Sequence, residues 1–148
     1  MRHHPKNPHI ANNGFARLMI FFTRNRLPVI ARFYQFFFGC DIGCKLPTTV
    51  FLPHLQGIVI HNRACIGNDV VIGHQVTLGG RDLTGEAPVI EDGVYIGAGA
   101  KILGKVVVGR GATIGANAVI TRDVPAAGVA VGANRLLAKP SHYALDPA

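Results

Sequence analysis

Aliphatic side chains recur at every sixth position along the middle of this chain. Ile60, Ile66, Ile72 and Leu78, then Ile90, Ile96, Ile102, Val108, Ile114 and Ile120, all fall in one phase. Four residues after most of them stands a second small apolar side chain: Ala64, Val70 and Val76, then Val94, Ala100, Val106, Ala112, Ala118 and Val124. The aliphatic is usually followed by glycine, at Gly67, Gly73, Gly79, Gly97, Gly109 and Gly115. A period of six is neither the 3.6 of an α-helix nor the 2 of a half-buried strand. A β-sandwich has no reason to hold one phase across so many hexads. The pattern predicts an all-β fold, a parallel β-helix of hexapeptide repeats.

Each hexad supplies one short flat face, and a small residue lets the chain turn into the next. Three faces close a triangular coil of about eighteen residues, and coils stack at strand spacing, about 4.8 Å. One coil cannot bury its own apolar side chains, so stacking creates the core. Ahead of the regular phase, Leu46, Leu52 and Ile58 are also six apart, but Ile58 to Ile60 is a slip of two. A bulge is therefore expected at Gly57–Ile60. The hexad signal stops between Leu78 and Ile90, where Gly80 to Pro88 reads as a loop leaving the coil. The β-helix is assigned to residues 40–125 with its loop at 80–88. Residues 126–148 are read as a C-terminal strand and tail able to reach a neighbouring subunit.

The composition changes upstream of the coil. Seven of the eight phenylalanines are Phe15, Phe21, Phe22, Phe33, Phe36, Phe37 and Phe38. Asn12 or Asn13 can cap a helix running to about Asn25, Pro28 suits the first turn of a second helix, and Gly39 suits its end. Residues 14–39 are thus a short helical segment. Its longest unbroken apolar run, Leu18 to Phe22, falls far short of the ~20 residues a spanning helix needs. Residues 1–63 carry six Arg, two Lys and one acid, Asp41, so the whole net charge of +7 sits in this part. Two readings of the segment stand together. One is a cap over the open edge of the coil. The other is contact with a membrane surface through residues 15–38, where Arg17, Arg24, Arg26 and Arg32 are mixed with phenylalanines.

Residues 1–13 read as a disordered basic tail, and its His3, His4 and His9 as loose polar residues. The phenylalanines lie among aliphatics, which reads as core or membrane contact and argues against nucleic acid as a partner. Cys40, Cys44 and Cys65 are too few for a disulfide scaffold and lack zinc-site spacing. A reducing, cytoplasmic setting fits them, with the inner membrane face as the setting of the second reading. No cleavable signal is expected, since Met1–Asn13 is polar.

The interior of such a coil is aliphatic, so any chemistry must come from its outer edges. His54 and His74 each stand two residues after an aliphatic, in Leu52-Pro53-His54 and Ile72-Gly73-His74. They are twenty residues apart, one coil plus the slip of two, which predicts one outer edge with the rings a rung apart. His61 follows Ile60 at a corner and is expected to face solvent. A neutral imidazole near pH 7 can take a proton from a hydroxyl.

At these residues a resemblance comes in. Gly39-Cys40-Asp41-Ile42, Leu52-Pro53-His54-Leu55-Gln56-Gly57-Ile58-Val59-Ile60, Val76-Thr77-Leu78-Gly79-Gly80, Ile96-Gly97-Ala98-Gly99-Ala100-Lys101-Ile102-Leu103-Gly104 and Ile114-Gly115-Ala116 together resemble the serine acetyltransferase branch of the hexapeptide-repeat acyltransferases. The resemblance covers about Gly39 to Pro140. It implies a left-handed β-helix, a homotrimer, and acetyl-CoA lying in the groove between subunits as co-substrate, with no metal. It further implies His54 as general base and Asp41 as the carboxylate that orients it; His74, expected one rung away, is read as a further catalytic candidate that shares the proton relay or lines the acceptor site. Gly79, Gly80, Ala98, Ala116 and Lys139 would contact CoA, largely through main-chain groups that small side chains leave open.

Where serine-specific members carry Arg-His-Pro in the loop, this chain has Glu86-Ala87-Pro88. The aspartate before the base is Pro53 here, Asp41 to His54 is two residues shorter than the pattern, and the long N-terminal helical domain of the pattern is not expected, about forty residues standing in its place. Glu86 and Arg81 are therefore the candidate acceptor-binding residues. With Glu86 where an arginine would hold a carboxylate, the expectation is an acetyl-CoA-dependent O-acetyltransferase acting on a sugar in surface polysaccharide synthesis. Serine O-acetylation for cysteine biosynthesis is the alternative. From other classes come a non-catalytic scaffold and a zinc carbonic anhydrase built on His54, His61 and His74.

Overall fold

A computed structural model of the chain describes residues 3–4, 7–12, 14–25, 28–81 and 85–137. The middle of the chain winds into parallel coils with three flat faces. Down the first face run Asp41–Ile42, Val59–Ile60, Thr77–Gly79, Lys101–Leu103 and Val119–Ile120. Ile42, Ile60, Leu78, Ile102 and Ile120 stand in register there. The second face stacks Cys65–Ile66, Val89–Ile90 and Val107–Val108. The third stacks Val71–Ile72, Tyr95–Ile96, Thr113–Ile114 and Val129–Val131.

Nine of the ten hexad aliphatics are buried at 2% exposure or less. Ile66 alone is half-buried, because no strand lies below it on the second face. Each fully buried Ile or Leu contributes roughly 1.5–3 kcal/mol of transfer free energy, so the stacked rows dominate stability.

Two departures from the six-residue period shape the outer surface. Phe51 bridges Val71, twenty residues on, whereas Val59 pairs with Thr77, eighteen on. The backbone N–H of Gln75 already bonds the carbonyl of Gln56 at 2.8 Å, and Gly57 takes a φ of +67°. Gln56–Gly57 is thus an ordinary corner of the coil. The two extra residues lie before it, in Pro53–Leu55, and not at Gly57–Ile60 as the spacing had predicted. Ile58 lies one coil below the Ala/Val position of Val76, so its six-residue distance from Leu52 is coincidental. The second departure is the loop: Leu78 pairs with Ile102, twenty-four residues on, one extra hexad.

Two helices, α1 (Gly14–Arg24) and α2 (Pro28–Phe38), cover the first coil. Ala16, Met19 and Ile20 of α1 enter the core beside Leu46 and Val50. Gln35 of α2 donates to the Ile42 carbonyl at 3.2 Å and accepts from its N–H at 3.4 Å, which ties the helix to the first strand. Gly39, with φ +61°, ends α2 as expected: its N–H bonds the Phe36 carbonyl and that of Cys40 bonds the Gln35 carbonyl.

The tail expected to be disordered over residues 1–13 instead contains His3–His4 paired antiparallel with Asn7–Ala11. Asn12 is buried, donating to the Val50 carbonyl and accepting from the Leu52 N–H, both at 2.6 Å. Its amide satisfies the open strand edge there and does not cap a helix. At the other end, Arg135–Leu137 folds back antiparallel on Val129–Val131 and covers that edge of the third face. Lys139 lies outside the described residues.

Candidate active site

The edge between the third and first faces carries the candidate base. Its corners are His74–Gln75, Ala98–Gly99 and Ala116–Asn117 on successive coils. The Gly99 N–H bonds the His74 carbonyl, and the Asn117 N–H bonds the Ala98 carbonyl, each at 2.8 Å. The backbone is so close here that a Cβ on Gly73 would sit 2.6 Å from the Ala98 nitrogen, and one on Gly97 2.6 Å from that of Ala116. His74, Ala98 and Ala116 thus form one continuous row.

His54 heads this row. The extra residues of Pro53–Leu55 turn Leu55 into the core, at 2% exposure, and leave His54 exposed. Its ring meets that of His74 edge to face, with centroids 5.9 Å apart and planes at 83°. No side-chain hydrogen bond among the described residues engages either imidazole, so the ring nitrogens are available to a substrate. The Cys40 thiol donates to the Leu55 carbonyl at 2.6 Å and so holds the backbone beside His54. Burial pushes this thiol up, which keeps it protonated as a donor. Sequence reasoning treated Cys40 only as a clue to redox compartment; the pairing depends on the shape of the insertion.

Asp41 is not brought to His54. It stands exposed on the outer side of the first face, in line with Val59 and Thr77, and no hydrogen bond or ion pair joins the two. His61 lies past the first face, half-buried, with Nδ1 accepting from the Arg63 N–H at 3.2 Å. The three histidines therefore do not converge within one chain. Among the described residues no group of three or more His, Cys, Asp or Glu could hold a metal ion.

The loop residues occupy the edge between the first and second faces. The Gly104 N–H bonds the Gly79 carbonyl at 2.9 Å, and Arg81 packs over Gly104. Arg63 Nη1 reaches the Gly85 carbonyl at 3.5 Å. Glu86 is ion-paired with Lys105 at 3.1 Å, both largely exposed. Glu86 is thus not the uncompensated negative charge that the sequence reading assumed. Lys105 was missed because it comes nineteen residues after Glu86, and only the stacking of Val89 on Val107 brings the two side by side. Gly79 and Gly80 are on this edge, not on the Ala98–Ala116 edge of the same chain.

A triangular parallel coil with an exposed His54 against a half-buried His74 at the head of a small-residue row defines a hexapeptide-repeat protein with a candidate acyl-transfer edge. Comparison with known proteins agrees with this class. The family description "Bacterial transferase hexapeptide (six repeats)" matches residues 87–122. A serine acetyltransferase of Mycobacterium tuberculosis is 44% identical over 106 residues, 69% of this chain and 46% of that protein. One of Helicobacter pylori strain J99 is 42% identical over 120 residues, 76% of this chain and 67% of that protein. Among solved structures, a serine acetyltransferase in complex with cysteine is 35% identical with a TM-score of 0.71, covering 82% of this chain and 54% of that one. A serine acetyltransferase from Brucella abortus in complex with coenzyme A is 30% identical with a TM-score of 0.64, covering 84% and 54%. The chain belongs to the hexapeptide-repeat acyltransferases. It spans about half the length of most of the relatives it matches. These relatives are named for serine, not for the sugar acceptor expected from Glu86.

Proposed function

We propose that the chain is an acetyl-CoA-dependent O-acetyltransferase with His54 as its general base and L-serine as its favoured acceptor. The observation that carries this reading is the His54–His74 pair at the head of the Ala98–Ala116 row. His54 takes the proton of the acceptor hydroxyl as that oxygen attacks the thioester carbonyl. A C–O bond forms, the C–S bond breaks, and the CoA thiolate leaves and is protonated. No covalent enzyme intermediate is required. Positioned base catalysis of this kind is worth roughly 10²–10⁴ in rate. His74 lines the acceptor side of His54, and the exposed backbone at Ala98 and Ala116 accommodates the pantetheine arm.

Serine is preferred to a sugar on two grounds. The relatives carry serine in their names, and Lys105 neutralises Glu86 while Arg81 stands nearby. With Glu86 paired to Lys105, Arg81 gives the loop edge a cation for a carboxylate, although it lacks the Arg-His-Pro of the resemblance. Within one chain the loop edge and the histidine edge lie on opposite sides of the first face. A homotrimer of left-handed coils, with one chain's loop edge against its neighbour's histidine edge, unites them and forms the groove for CoA. Steady-state kinetics with acetyl-CoA tests the acceptor. Saturable acetylation of L-serine is expected, with nucleotide sugars poor; the reverse order returns the assignment to a sugar.

A further inference from the structure

The outward side of the helical pair is apolar and cationic at once. On α2, Val29, Phe33 and Phe36 follow each other along one stripe and are 80%, 74% and 85% exposed. Phe37 flanks them at 76%. Ala31 and Gln35, on the other side of this helix, are the residues that face the coil. α1 repeats the division, with Phe15, Leu18 and Phe21 exposed and Ala16, Met19 and Ile20 buried. The core is already closed without these phenylalanines, so their exposure is not needed for folding. A contiguous apolar face of this kind in water marks a docking surface.

Charge decides what docks there. No acid precedes Asp41 in the chain. Arg17, Arg24 and Arg32 are exposed, and among the described residues no carboxylate pairs with them. A groove of about 400 Å³ along α1 is lined by Arg17, Arg24, Ile20, Phe21, Asn12 and Thr48. A second copy of the chain would set arginines against arginines with no acid to separate them. An anionic bilayer satisfies both halves of the surface: acyl chains for the phenylalanines and lipid phosphates for the guanidiniums. Each helix has 11 residues, about 16 Å at the α-helical rise. No helix among the described residues is long and apolar enough to cross a membrane. The pair fits lying flat.

We propose that α1 and α2 form an interfacial anchor that docks the protein on an anionic lipid bilayer, with Arg17 and Arg24 holding lipid phosphates. The test is flotation of the full chain with phosphatidylcholine vesicles and with vesicles that also contain phosphatidylglycerol. Binding is expected to the anionic vesicles, to weaken with salt, and to be much weaker on neutral ones. Arg17→Gln with Arg24→Gln should lower partitioning by roughly 25-fold, about fivefold for each charge. Phe33→Ser, Phe36→Ser and Phe37→Ser together should lower it by roughly tenfold or more, with circular dichroism unchanged because these side chains are outside the core. The readout does not depend on acetyl transfer, so it stands whichever acceptor the enzyme uses. No binding to anionic vesicles, equal binding to neutral ones, or a triple variant that binds like the parent overturns the proposal. So does sedimentation velocity in which the triple variant falls to a smaller assembly while vesicle binding is unchanged, since a second copy then covers the face.

Discussion

The imidazoles of His54 and His74 meet edge to face, 5.9 Å between centroids, although two extra residues separate their coils from an ordinary repeat. The insertion is what brings them together, because it carries His54 out over the corner that His74 occupies one rung away. His54→Ala should lower kcat by at least ~10²-fold with little change in melting temperature, since an exposed ring adds almost nothing to the core. His74→Ala should cost less and fall mainly on the KM for the acceptor. Steady-state rates for the two variants check the assignment, and an active His54→Ala would remove it.

Cys40 holds the same insertion from behind, through its 2.6 Å contact with the Leu55 carbonyl. Losing that donor leaves a partly buried carbonyl unpaired and frees the backbone beside His54. Cys40→Ala is expected to lower kcat several-fold, on the order of a 1 kcal/mol effect, with the KM for acetyl-CoA unchanged. Cys40→Ser keeps a donor and should restore most of the rate. Equal loss in both variants would mean that packing, not the hydrogen bond, is what matters.

Gly97 lies where successive coils approach most closely on the Ala98–Ala116 row. The three nearest neighbours of an added Cβ are backbone atoms of Gly115 and Ala116, at 2.6 to 3.0 Å, which cannot swing away. Gly97→Ala should therefore destabilise by about 1–3 kcal/mol, the usual cost of overpacking. Gly14→Ala, in α1 with nothing within 4 Å, should be neutral or slightly stabilising. Urea unfolding of the two variants separates these outcomes.

Burial pushes the Cys44 thiol from 9.0 up to about 11. The neutral thiol is favoured in the folded chain, so its contribution is fully present below pH 9.0 and is lost as the pH rises through about 11. Stability should thus fall over this alkaline window, and Cys44→Ala should flatten the fall. Unfolding midpoints at about pH 8 and about pH 10.5 measure it. A parent and variant with equal losses would assign the alkaline effect to other groups.

The phase of ten aliphatics was enough to read the coil, its three faces and its core, because the hexad period is a local rule. A side chain at that position points inward whichever coil lies above it. The end of α2 at Gly39 was legible for the same reason, since a left-handed residue there depends on its own backbone. Register is different. Leu52, Ile58 and Ile60 share spacings that fit more than one stacking, and only the pairing of Phe51 with Val71 puts the extra residues in Pro53–Leu55. The Glu86–Lys105 ion pair, the Cys40–Leu55 contact and the absence of an Asp41–His54 bond all follow from such long-range registers. Spacing along the chain specifies which residues turn inward; how neighbouring coils align decides which outward residues meet.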